Sequence, residues 1–198
     1  MTQARFDPEF QAVQAAVYDI ARHEAAHTVI ARSLCFVTNK VRVRANTGGG
    51  ADGQSDIDLD RRLQDMDDIR TYLRERLSVL YAGVIAETML AGQVDRDEAY
   101  KNLETHSKDD YSKIRELLKV LAGIECGPDE DFQTVLSRVE DEAWDRTSAL
   151  VIRFDNIIEQ LANTLRADAR TFCTWSTVRE WDQPEFGAGR PPPASDAP

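Results

Sequence analysis

The feature that most constrains this chain is an apolar stripe that runs into a pair of histidines. Phe10, Val13, Val17 and Ile20 recur at spacings of three and four, the period of one helical face, and continuing that face lands on Glu24 and His27. Residues four apart on a helix project from the same side, so His23 and His27 can present two imidazoles to one point while Glu24 leans over the same cleft. Burying two imidazoles and a carboxylate is costly unless something pairs them, and a divalent cation supplies that pairing. The run His23-Glu24-Ala25-Ala26-His27 therefore reads as an HExxH motif for Zn2+, against the plain alternative of two satisfied core histidines and a solvated Glu24.

Two imidazoles leave a tetrahedral zinc short of one protein ligand and one water. Candidates are acids and histidines on apolar stripes. Ile69, Leu73, Leu77, Leu80 and Val84 follow helical spacing and lead to Glu87, which predicts that Glu87 points inward. Glu87 can then be a ligand, an acceptor for a ligand histidine N–H, or an acid paired with an arginine; the second is favoured. Asp110 shares a stripe with Ile114, Leu117 and Leu121, whereas Asp109 shares its face with Lys113 and Glu116, so periodicity picks Asp110. His106 lies one turn before Asp110 and competes with it as third ligand or hydrogen-bond partner. The plain readings are a helix-start carboxylate stabilised by the dipole and a solvent-facing histidine.

Helical periodicity dominates the rest of the chain. A first helix is expected from Asp7-Pro8-Glu9 to near Leu34, since Asp caps, Pro suits the first turn and Glu favours the positive end. Lys40 to Arg44 alternate basic and apolar, the mark of a strand with one half-buried face, and Gly48-Gly49-Gly50 ends it in a loop. The acidic stretch Asp52 to Asp60 has calcium-loop spacing at Asp56, Asp58 and Asp60, but Arg61 stands where such a loop needs Gly and Asp67 where it needs Glu. Calcium is not expected there. Further helices are expected over residues 65–91, 107–122 and from beyond Gly127-Pro128 to near Arg166, with a polar link before the second of these. The expected organisation is one domain over residues 1–186 and a disordered Pro- and Ala-rich tail over 187–198.

Composition narrows the partners. A net charge of −11 argues against nucleic acid or an anionic membrane surface, because either requires clustered Lys and Arg. No apolar run is long enough to cross a bilayer, and Met1 to Phe10 lacks a signal-peptide pattern, so no membrane insertion and a cytoplasmic location are expected. Cys35, Cys126 and Cys173 are odd in number and widely spaced, which suits a reducing compartment and reads as ordinary small apolar residues.

At these residues the chain resembles the peptidase domain of FtsH-type zinc metalloproteases. The matching pieces are Ala21 to Ala31 around the His-Glu-Ala-Ala-His run, Leu80-Tyr81-Ala82-Gly83-Val84-Ile85-Ala86-Glu87, and Asp109-Asp110; Val139 to Ala143 through Asn156 to Leu165 is similar to the family's late helices. The resemblance implies that His23, His27 and Asp110 are zinc ligands, Glu24 the catalytic base, and Glu87 a family glutamate near the metal. It implies a mainly α, zincin-like metallopeptidase fold with a small β element near residues 39–55. Ala26 replaces the family's usual Gly, Asp109 its usual Asn, and no GxxxxGK[ST] phosphate loop occurs.

The expected function is a zinc metalloendopeptidase that hydrolyses loose or unfolded polypeptides without using ATP itself, with a separate ATPase or unfoldase as a partner for folded substrates and an oligomer compatible with the sequence. Lys40 to Arg44 is a candidate edge strand for an extended substrate. The rival is a non-catalytic, zinc-stabilised protein-binding module derived from such a protease, whose metal would be closed by four protein ligands.

Overall fold

Three helix starts in this chain are set by aspartates. Asp65, Asp95 and Asp131 each sit in extended backbone and accept from the N–H three residues on, satisfying a donor that the first turn leaves free. The computed structural model describes residues 8–46, 49–169 and 175–178. Its elements are α1 (Pro8–Ser33), β1 (Val37–Ala45), β2 (Ala51–Asp58), α2 (Met66–Thr88), α3 (Arg96–Thr105), α4 (Lys108–Glu125), α5 (Phe132–Asp168) and β3 (Ser176–Val178). The protein is mainly helical with one small antiparallel sheet. The side chain of Phe10, Cys173 and the 187–198 tail lie outside the described residues.

α1 forms the centre, packed by α2 and α5 and covered by β1 and β2. Val17, Ala21, Ala25, Ala26, Val29 and Ile30 on α1 are wholly buried, and small residues at 21, 25 and 26 let neighbouring backbones come close. α2 contributes Leu77, Tyr81, Val84 and Ile85, and α5 contributes Ile158, Leu161 and Leu165. Arg22 ties the three helices together: Nε donates to Ala86 O at 3.0 Å, Nη1 to Glu159 at 2.6 Å and Nη2 to Asp155 at 2.9 Å.

The sheet has order β2-β1-β3. Its register sets Lys40 opposite Asp56, Arg42 opposite Gln54 and Arg44 opposite Asp52, while Val41, Val43 and Ala45 face the core. Two expectations change here. β1 is the middle strand, so among the described residues the sheet edges belong to β2 and β3 rather than to Lys40–Arg44. The β element expected near residues 39–55 is a hairpin of β1 and β2 that runs on to Asp58, in which the acids and Gln54 of β2 alternate with Gly53, Ser55 and Ile57 and pair with the basic face of β1. Residues 96–105, read as a polar link, form α3, which buries only Ala99 and Leu103. Cys35 is exposed, in left-handed backbone with φ of 63° just past α1, where the Phe36 N–H returns to Ala31 O at 2.9 Å. Among the described residues no helix is long and apolar enough to cross a membrane.

Candidate metal centre

The site lies where α1 packs on α2 around Gly83. Gly83 makes that packing possible: a Cβ there would stand 2.6 Å from His23 Nε2 and 2.6 Å from His27 Nε2, closer than real side chains come. One helical turn earlier, the carbonyl of Val79 lies 2.7 Å from His27 Nδ1. On the other ring, His23 Nδ1 lies 3.1 Å from Glu87 Oε2, and Asn102 on α3 donates to the second Glu87 oxygen at 3.3 Å.

These contacts fix the tautomers. A carbonyl and a carboxylate only accept, so Nδ1 carries the hydrogen on both rings, and in the neutral rings both Nε2 atoms are bare lone pairs. Those two atoms are 2.9 Å apart, and Asp110 Oδ2 lies 3.3 Å from His23 Nε2 and 3.2 Å from His27 Nε2. With both rings neutral, three acceptors converge with no hydrogen among them, an arrangement that repels unless a cation or a proton sits within it. Ligands about 2.0–2.1 Å from a tetrahedral zinc stand roughly 3.3 Å from one another, so the triangle is close to the size zinc requires. These two imidazoles and one carboxylate could hold a metal ion, and three protein ligands leave a tetrahedral ion one further position.

The electrostatics agree. His23 is 4% exposed and burial disfavours its charge, yet hydrogen bonds to Asp110 and Glu87 and the fields of Glu24 and Glu87 push its pKa up to about 10. Burial likewise acts to raise Asp110, but the field of His27 and hydrogen bonds to both imidazoles hold its carboxyl well below the usual carboxylate range. In a metal-free chain a proton on His23 therefore takes the place of the cation. Asp110 is the third residue of α4, whose positive end further favours the anion.

Glu24 is buried beside the triangle. Its Oε2 lies 2.6 Å from Ser55 Oγ on β2, and Thr28 Oγ1 donates to the Glu24 carbonyl at 3.0 Å. A Cβ at Gly53 would fall 2.5 Å from Glu24 Cγ and 2.6 Å from Oε1, so β2 can lie against the carboxylate only with glycine at that position.

The structure thus brings together His23, Glu24, His27, Glu87 and Asp110. It does not bring His106 to them: that residue caps α3, is exposed, and has Nδ1 3.0 Å from Thr105 Oγ1. Asp109 is also exposed. Sequence reasoning missed Gly53, Ser55, Val79, Gly83 and Asn102. Glycines inside a strand and inside a helix were the available signals for two of these, and a backbone carbonyl leaves none. No protein-family model matches the chain, and no curated protein matches it significantly.

Proposed function

We propose that this chain is a zinc-dependent endopeptidase of zincin-like, FtsH-type design, with His23, His27 and Asp110 as ligands and Glu24 as the base. The observation that carries the reading is the convergence of His23 Nε2, His27 Nε2 and Asp110 Oδ2 within 3.3 Å of one another, next to a buried glutamate. A zinc bound there would lower the pKa of a water and polarise a substrate carbonyl.

The chain's own residues supply the rest. Glu24 accepts a proton from the attacking water and returns it to the leaving amine, while the Ser55 hydroxyl holds the carboxylate in place. Glu87 and the Val79 carbonyl keep both imidazoles in the tautomer that offers Nε2. The outer edge of β2, unpaired among the described residues and carrying Gly53 and Ser55 against Glu24, offers main-chain hydrogen bonds to an extended polypeptide whatever its sequence. A substrate must therefore be locally unfolded, and a separate ATPase or unfoldase would open folded ones. The metal-binding group numbers three among the described residues, which favours this reading over a closed, non-catalytic zinc module.

The test is hydrolysis of an unfolded protein by the zinc-supplied chain and by Glu24→Gln. Wild type should cut and lose activity to a chelator. Glu24→Gln should keep zinc and the fold but show no cleavage, because an amide cannot take the water's proton. Equal rates in the two proteins would remove the proposal.

A further inference from the structure

α2 faces the site along one stripe. Gly83 makes room for the two Nε2 atoms, Glu87 one turn later holds His23, and Arg76 stands seven residues before Gly83, on the same helical face. Arg76 is half-buried, and among the described residues it has no hydrogen bond and no ion pair. Other arginines that pack against the core differ. Arg22 holds Asp155 and Glu159, Arg61 holds Glu75, and Arg74, two residues away on α2, holds Glu125. In a chain with net charge −11 an acid partner for Arg76 is easily supplied by sequence, yet none is in place among the described residues.

Burial pushes the Arg76 pKa below the ordinary arginine value, while the fields of Tyr72 and Asp110 act the other way. The guanidinium therefore lies within electrostatic reach of the metal-binding carboxylate, which is itself committed to the two imidazoles. The Arg76 nitrogens are not among the buried side-chain atoms left without a partner, so the fork reaches solvent at the surface beside the site, where its planar geometry suits a carboxylate. Seven residues of helix advance about 10 Å. An extended peptide covers that distance in about three residues.

Resting on the peptidase reading, we propose that Arg76 is a carboxylate-binding subsite, which engages the chain terminus or an acidic side chain of the substrate within about three residues of the scissile bond. Arg146 on α5 provides an internal comparison. It is also half-buried and without a hydrogen bond or ion pair among the described residues, but it lies in the fields of Glu75 and Arg74 instead of Asp110.

The experiment is calorimetric titration of zinc-supplied Glu24→Gln protein with three peptides of one sequence: a free C-terminus, an amidated C-terminus, and an amidated form with Glu three residues from its end. The free-terminus or the Glu peptide should bind at least about tenfold more tightly than the neutral one, as expected for a charged hydrogen-bonded pair. Adding Arg76→Ala should abolish that preference, Arg76→Lys should restore part of it, and Arg146→Ala should leave it unchanged. Whichever acidic peptide shows the preference identifies the source of the carboxylate. Equal binding of all three, no binding of any, or a preference that survives Arg76→Ala would overturn the proposal. Failure of wild type to hydrolyse peptides would instead count against the peptidase reading, because the titration does not depend on turnover.

Discussion

His23 Nε2 and His27 Nε2 face each other at 2.9 Å, and each is bare in the neutral ring because the opposite nitrogen is committed to an acceptor. This pair and the Asp110 oxygen make the centre sensitive to protons. The His23 pKa is raised from 6.5 to about 10, so its proton stabilises the metal-free fold fully below about pH 6.5, and that contribution is lost as pH rises through about 10. Zinc must displace the same proton, whereas Asp110, with its pKa lowered, is already ionised. Apparent zinc affinity should therefore rise close to tenfold per pH unit from pH 6 to 9, with proton release on binding. Competition titrations against a chelator of known pH dependence would check this; a flat profile would contradict it.

Gly83→Ala separates metal binding from folding. In a helix interior the substitution is intrinsically favourable by about 0.5–1 kcal/mol. Its methyl group, however, falls 2.6 Å from both Nε2 atoms. Zinc affinity should drop at least tenfold while helical circular dichroism is retained. Undiminished zinc binding would show that the two rings do not meet the metal on the Gly83 side.

Gly53→Ala should act chiefly on catalysis. The added methyl presses first on Glu24 Cγ and Oε1, at 2.5 and 2.6 Å, and then on Ile20 Cγ1 at 2.8 Å. Displacing a general base by about 1 Å lowers turnover on the order of a hundredfold, so kcat should fall by that order with zinc content unchanged. Comparing kcat and bound zinc in purified wild type and variant decides the point. An unaltered kcat would place Glu24 outside the reaction.

Asp110→Ala should weaken zinc binding far more than Asp109→Ala, because only Asp110 reaches both imidazoles while Asp109 points to solvent. Measured zinc dissociation constants for the two variants provide the check. Equal losses, or a larger loss in His106→Ala, would require a different third ligand.

The main helices were legible because their apolar residues repeat at three and four over long stretches, and the same stripes pointed Glu87 and Asp110 toward the histidines. α3 was not legible: ten residues with two buried side chains, Ala99 and Leu103, give too little periodicity. β2 was legible only as part of the β element near residues 39–55, without its own bounds, because its outer face is acidic and its inner face holds Gly53 and Ser55, which pack on Glu24 instead of filling a hydrophobic core. β3 is three residues long, and its pairing to Val41–Val43 joins segments more than a hundred residues apart. The fine structure of the site escaped for another reason. The Val79 carbonyl and the missing side chain of Gly83 act through backbone, whose placement depends on how two helices pack.

The most direct measurement is X-ray absorption at the zinc edge of the chain supplied with one equivalent of zinc. Four nitrogen or oxygen ligands are expected at about 2.0–2.2 Å, two of them showing imidazole scattering, with one imidazole lost in His23→Ala and no sulfur in the shell. A chain that takes up no zinc, or a shell containing three imidazoles or a thiolate, would contradict the proposed site.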